Sequence, residues 1–314
     1  MSSTPTKART PAPAPAGAER RGTRFGTVLQ VHRTALWIWI AFVVISAAFL
    51  LWLRYGPDAS AAAQFQAECE TLTRTGRCSA FSDDAAAVRW YEYIGTDLVS
   101  LLRNLPPVVA GWAAAVLIGR ELENGTAELA WTQSISPARW LAEKLVVPAV
   151  FITAGTGLLV LGLRGFIDWT AAHRLLAAGY QTNDAFFALG PSLVAHALLG
   201  LAAGVLAALL TRRMLPALAA GALTTWAVAW LVNPWRTEIW PAVARTAKGE
   251  GPFGFTAWAC KYDQADHKYS VDACMGARPA SNFWPAQLTE TGFVLLLAVL
   301  VVAGAFWCLR RRTG

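Results

Sequence analysis

The sequence predicts an all-α integral membrane protein with six transmembrane helices, and three observations carry that prediction. Hydrophobic residues make up 55% of the 314 residues and charged residues only 15%, well below the roughly 25% usual for a soluble domain. The apolar side chains come in uninterrupted blocks, with a mean hydropathy of +0.39, and a helix needs about twenty such residues to cross the hydrocarbon core. The basic residues, which give a net charge of +7, cluster at the ends of those blocks. That placement orients helices in a bilayer. It lacks the continuous basic face that phosphate binding requires, so a nucleic-acid role is set aside.

Residues 1–24 are Pro/Ala-rich and basic, without apolar periodicity, and read as a disordered cytoplasmic tail ahead of a six-span domain over 25–314. The spans fall at about 35–53, 98–118, 145–163, 186–210, 215–232 and 292–309. A cleavable signal peptide is the competing reading of the first block, because ASAAA begins at Ala59. That block runs about nineteen residues, longer than an h-region of about 7–15, which favours an uncleaved span. In the second span, Pro106 and Pro107 remove two backbone donors, so the helix is expected to kink or begin there.

Orientation follows from short basic flanks. Arg20, Arg21, Arg24 and Arg33 precede the first span, Arg212 and Arg213 join the fourth to the fifth, and Arg310, Arg311 and Arg312 follow the sixth. With six spans these clusters share one side, which places both termini in the cytoplasm and two large loops outside. Trp37, Trp140 and Trp307 are expected at the inner interface, and Trp52, Trp169, Trp235 and Trp284 at the outer. Cys69 and Cys78 fall in the first outer loop, Cys260 and Cys274 in the last. Outside the cell disulfides persist, and two intra-loop bridges are expected. Zinc ligation is the weaker alternative, since neither pair has C-x-x-C spacing. Cys308, at the end of the last span, reads as a small apolar filler.

The segment Gly119–Lys144 between the second and third spans carries the most readable chemistry. Asn124–Gly125 supplies a helix stop through a left-handed cap, and Thr126 suits the start of a new short helix as a hydroxyl cap. Ser136–Pro137 then starts another helix, with Ser as N-cap and Pro at its first position. The result is a short helix lying across the ends of two spans, either an ordinary amphipathic connector or an element that passes a push to two helices at once.

Glu121–x–Glu123–x–Gly125–Thr126, followed by Leu129, Thr132–Gln133 and Ser136–x–x–Arg139–Trp140–Leu141–x–x–Lys144, resembles the type-2 ABC transporter permease family in the form common in actinobacteria. Pro137 stands where that pattern often has Arg. An interfacial elbow helix over Phe25 to Thr34 and six spans with basic flanks match the same family. The resemblance implies a dimeric export permease in the bacterial cytoplasmic membrane, paired with a second permease subunit and a separate cytoplasmic ATPase that holds ATP and Mg. It also implies docking or coupling roles for Glu121, Glu123, Gly125, Thr126, Arg139 and Lys144, with Arg212 and Arg213 as weaker candidates.

No phosphate loop G-x-x-x-x-G-K-[ST] occurs in the sequence, so this chain is not the ATPase. Nor does any H-E-x-x-H, G-x-S-x-G or metal-spaced Cys/His cluster; no cofactor, metal or catalytic role is expected of it. His196 in the fourth span is an ionisable group at membrane depth, and Asp97 and Arg103 lie at the outer mouth of the second. These three are pore candidates, set against a hydrogen-bonded neutral imidazole and two solvated interface charges. Gly200, Gly204 and Ala208, at every fourth position, suit close helix packing within or between subunits. The alternative function is a non-transport membrane sensor or immunity protein that binds a ligand through its outer loops.

Overall fold

Each apolar block forms a helix long enough to cross a membrane. The computed structural model describes residues 33–56, 60, 64, 97–132, 135–172, 183–239 and 283–313, with five short strands between 243 and 278. The helices are α1 (Arg33–Tyr55), α2 (Val99–Ala114), α3 (Arg120–Glu123), α4 (Thr126–Thr132), α5 (Pro137–Ala172), α6 (Asn183–Ala188), α7 (Ser192–Thr211), α8 (Met214–Ile239) and α9 (Phe283–Thr313). A π-helical turn, Ala115–Gly119, joins α2 to α3. Six apolar spans thus match the expected helical membrane architecture. The segment between α8 and α9 departs from all-α: β1 (Val243–Ala244), β5 (Gly276–Arg278) and β2 (Phe255–Ala257) form an antiparallel sheet in that order. A hairpin of β3 (Tyr262–Asp263) and β4 (Lys268–Tyr269) lies between them. The four loop cysteines, and the tail with its elbow, lie outside the described residues.

Several helices outrun the apolar blocks that announced them, because a helix continues past the hydrocarbon wherever its polar residues find partners. α5 extends from Pro137 to Ala172 and α9 begins at Phe283, nine residues before the expected Gly292. Pro106 and Pro107 sit buried inside α2, which begins before them instead of at them. The fourth span is not one helix: Leu189–Pro191 break it into α6 and α7.

Gln287 of α9, fully buried, closes that break. Its Nε2 donates to Phe186 O at 2.5 Å and its Oε1 accepts from Ser192 N at 3.2 Å. One side-chain amide therefore satisfies an orphan carbonyl at the end of α6 and an orphan amide at the start of α7.

Packing is organised around α7, whose span is 72% buried against 22% for α8. Small residues allow this. A Cβ on Gly221 of α8 would lie 2.7 Å from the Cα of Gly111 in α2 and 2.8 Å from the carbonyl oxygen of Gly200 in α7. A Cβ on Gly204 would meet the Cβ of Ala114 at 2.8 Å and the carbonyl oxygen of Ala217 at 3.2 Å. The small stripe on α7 is thus internal, the seam along which α2, α7 and α8 bring their backbones together. Separately, α1 is pinned to α5 by Trp39, whose Nε1 donates to Phe151 O at 3.0 Å.

Arg212 and Arg213 lie at the same end of the bundle as Arg310, Arg311 and Arg312. Arg312, closing α9, donates through Nη1 to Leu209 O at 2.5 Å and through Nη2 to Leu210 O at 3.2 Å. These are the last carbonyls of α7, where a cation also meets the negative end of the helix dipole. We call this the basic end and its opposite the far end.

Candidate functional site

At the basic end, α3 and α4 are joined by a turn in which Gly125 has φ +70°, the left-handed geometry expected of it. Thr126 is the first residue of α4 but does not cap it. Its hydroxyl donates backwards to Glu121 O at 3.2 Å, filling an orphan carbonyl of α3. At the next helix start, Trp140 N donates to Ser136 O at 3.0 Å, with Pro137 in the first helical position as expected.

Three carboxylates tie this element to the rest of the molecule. Glu121 accepts from Lys144 Nζ, forming an ion pair with it, and from Trp140 Nε1 at 3.2 Å. Trp140 is buried, edge-on to Trp131 at 5.5 Å, so its ring faces protein. Glu123 Oε2 accepts from Met214 N at 3.1 Å. It caps α8 from another helix, since neither Arg212 nor Arg213 has a side-chain acceptor. Glu128 pairs with Arg212 Nη1 at 3.0 Å. Arg212 has φ 54°, a left-handed conformation that costs a residue with a Cβ about 1–2 kcal/mol. Its own amide closes α7 by donating to Ala208 O at 2.8 Å. The α3–α4 element is therefore fastened to α5 through Glu121 of α3, and to the α7–α8 turn through Glu123 of α3 and Glu128 of α4. Its outer face stays open, with Leu129 62% exposed and Thr126 and Thr132 exposed beside it.

At the far end, polar groups from three helices meet in the buried interior. His196 is one turn inside α7, not at mid-span, because α7 starts only at Ser192. Its Nδ1 lies 2.8 Å from Ser192 O, and since a carbonyl can only accept, that nitrogen carries the hydrogen. Its Nε2 faces Glu290 Oε1 of α9 at 4.0 Å, with both side chains under 5% exposed. Arg103 of α2 interacts electrostatically with Glu290, and its guanidinium stands 4.9 Å from the ring centre of Phe187. Arg103 and His196 share the wall of a cavity of about 210 Å³ between α2, α7 and α8.

A family model described as ABC-2 membrane transporter related matches residues 40–236, well over half of the chain. The chain belongs to this family. The match starts inside α1 and ends within α8, so it includes the fastened basic-end element and much of the far-end cluster. No curated protein and no solved structure matches the chain. With six membrane-capable helices, it is a multi-pass transport permease, in keeping with the sequence resemblance.

Within this permease the residues singled out from sequence divide clearly. Glu121 and Lys144 are brought together, and Glu123, Gly125 and Thr126 join them in one element. Arg139 stands apart, 64% exposed and paired with Glu143 at 3.0 Å. Arg103 and His196 meet in one cavity, whereas Asp97 is exposed at the start of the second span and is not in its wall. Among the described residues no group of three or more His, Cys, Asp and Glu forms a metal cage. Sequence reasoning missed Glu290 and Gln287, which fell outside the expected sixth span. A signal existed. Gln287, Glu290, Val294 and Ala298 are all buried and recur at helical spacing, extending the apolar stripe back through two polar residues.

Proposed function

We propose that this permease is the membrane subunit of an ATP-driven exporter of the bacterial cytoplasmic membrane, with its basic end in the cytoplasm and α4 as the element a separate ATPase pushes. The supporting observation is that α4 is exposed on one face and joined through the Gly125 turn to α3, whose Glu121 and Glu123 bind two different parts of the bundle. A force on Leu129 would reach α5 through Glu121–Lys144 and α8 through Glu123. In this reading Glu121, Glu123 and Lys144 transmit the push, Gly125 and Thr126 shape the turn, and Thr126, Leu129 and Thr132 form the docking face, with Arg139 at its border. ATP and Mg bind the partner ATPase, and a second permease subunit, the same chain or a different one, completes the pathway.

The test is co-purification with a candidate ATP-binding-cassette subunit, followed by measurement of ATPase stimulation. Leu129→Glu should abolish complex and stimulation while leaving the permease's thermal unfolding unchanged. If Leu129→Glu still binds and stimulates fully, α4 is not the docking element.

A further inference from the structure

The far-end cavity offers one more assignment, which rests on the transport reading for its role but not for its existence. Among the residues lining it, Arg103 is the one that is permanently charged, and its wall contains no carboxylate. Glu290, whose charge acts on Arg103, is buried at 5% exposure and is not among the lining residues. The guanidinium thus both feels the charge of Glu290 and lines the cavity. A planar fork with five N–H donors serves both at once.

The rest of the wall agrees with an acceptor-bearing ligand that also has an apolar part. Asn104 and Thr225 add polar groups beside Arg103, while Leu223 and Trp226 add apolar surface. Leu223 is 62% and Trp226 63% exposed, so these two lie where the cavity meets the surface of the bundle. A ligand seated here would hold its head against Arg103 and run its chain out along α8. A cationic head would face Arg103 with no acid in the wall to receive it. A volume of about 210 Å³ suits a head group and the start of a chain, not a folded partner.

We propose that this cavity binds an anionic amphiphile, an acyl chain or similar apolar body bearing a carboxylate or phosphate that Arg103 holds. Such a molecule is either a transported solute or an acidic lipid of the bilayer.

The experiment uses the full-length permease in phosphatidylcholine nanodiscs and a diazirine-bearing C18 fatty acid, with its methyl ester and the corresponding amine as controls. Photolabelled sites are mapped by mass spectrometry. The acid should label α2 and α8 around Val108, Leu223 and Trp226, with excess unlabelled acid competing and the ester and amine labelling at least tenfold less. Arg103→Gln should lower labelling by the acid tenfold or more. Because Arg103 also neighbours Glu290, a second variant, Ala222→Phe, fills the cavity and leaves Arg103 in place; it should block labelling equally. Equal labelling by acid, ester and amine, or wild-type labelling of Ala222→Phe, overturns the assignment. Repeating the measurement in phosphatidylglycerol nanodiscs separates the sources. Loss of labelling there identifies an acidic lipid as occupant, and retention identifies a free amphiphile, either of which supports the site. Failure here leaves ATPase docking on α4 untouched, and failure of docking leaves this labelling pattern untouched.

Discussion

Lys144 is 8% exposed, and Glu121 is the acid that holds it there. Removing Glu121 alone strands a cation in a poorly hydrated position, while removing both leaves an apolar contact. Glu121→Ala should therefore destabilise the permease by about 1–3 kcal/mol, and adding Lys144→Met should recover more than half of that. Thermal unfolding of the two single variants and the double variant in detergent measures the coupling; simple additivity would mean that the pair is not a brace. By contrast, Glu128→Gln removes an ion pair whose side chains are 58% and 50% exposed, so it should change stability by less than about 1 kcal/mol. The residue types in this segment were legible from sequence: acids, a tryptophan and a lysine at a helix–loop–helix boundary. Their pairing was not. Glu121 and Lys144 are 23 positions apart, and no local spacing rule links residues across a turn, a short helix and another turn.

Among the helices, the decisive contact is the seam of Gly111, Gly200, Gly204 and Gly221. A methyl at Gly221 would stand 2.7 Å from the Cα of Gly111 and 2.8 Å from the carbonyl of Gly200, and both obstacles are backbone, which cannot rotate away. Gly221→Ala should cost about 1–3 kcal/mol through overpacking. Gly304→Ala, where nothing lies within 4 Å of the added atom, should be neutral or should stabilise α9 by up to about 1 kcal/mol. Comparing the two unfolding midpoints checks this, and equal shifts would sink the seam. The small stripe Gly200–Gly204–Ala208 was visible as a period of four. Gly111 and Gly221, its partners, carry no such signal, because what they match is the surface of another helix. Element ends were the least legible feature. The break at Leu189–Pro191 and the early start of α9 at Phe283 meet where Gln287 reaches Phe186 and Ser192, a contact made by folding and invisible to a hydropathy window.

For the molecule as a whole, the number of spans was legible because about twenty apolar residues is a physical requirement of the bilayer. Direction follows from arginines alone, and it is testable. Asp97 is exposed at the far end and Leu129 at the basic end. With a membrane-impermeant maleimide, Asp97→Cys should be labelled in intact cells above the background of the native cysteines. Leu129→Cys should be labelled only after the membrane is opened. The opposite pattern would invert the permease and remove α4 from reach of a cytoplasmic ATPase.

Glu123 capping Met214 has a consequence for how this protein can be taken apart and recombined. The cap on α8 is encoded 91 positions upstream of the amide it serves, while the turn's own hydroxyl, Thr211, accepts from Arg213 N and not from Met214 N. A graft into this chain of a first basic-end loop lacking an acid at position 123 would therefore leave the Met214 amide without its acceptor, even with every helix boundary preserved. Residues 119–132 and 211–214 behave as one unit of exchange, and chimeras that move both together are the ones expected to fold.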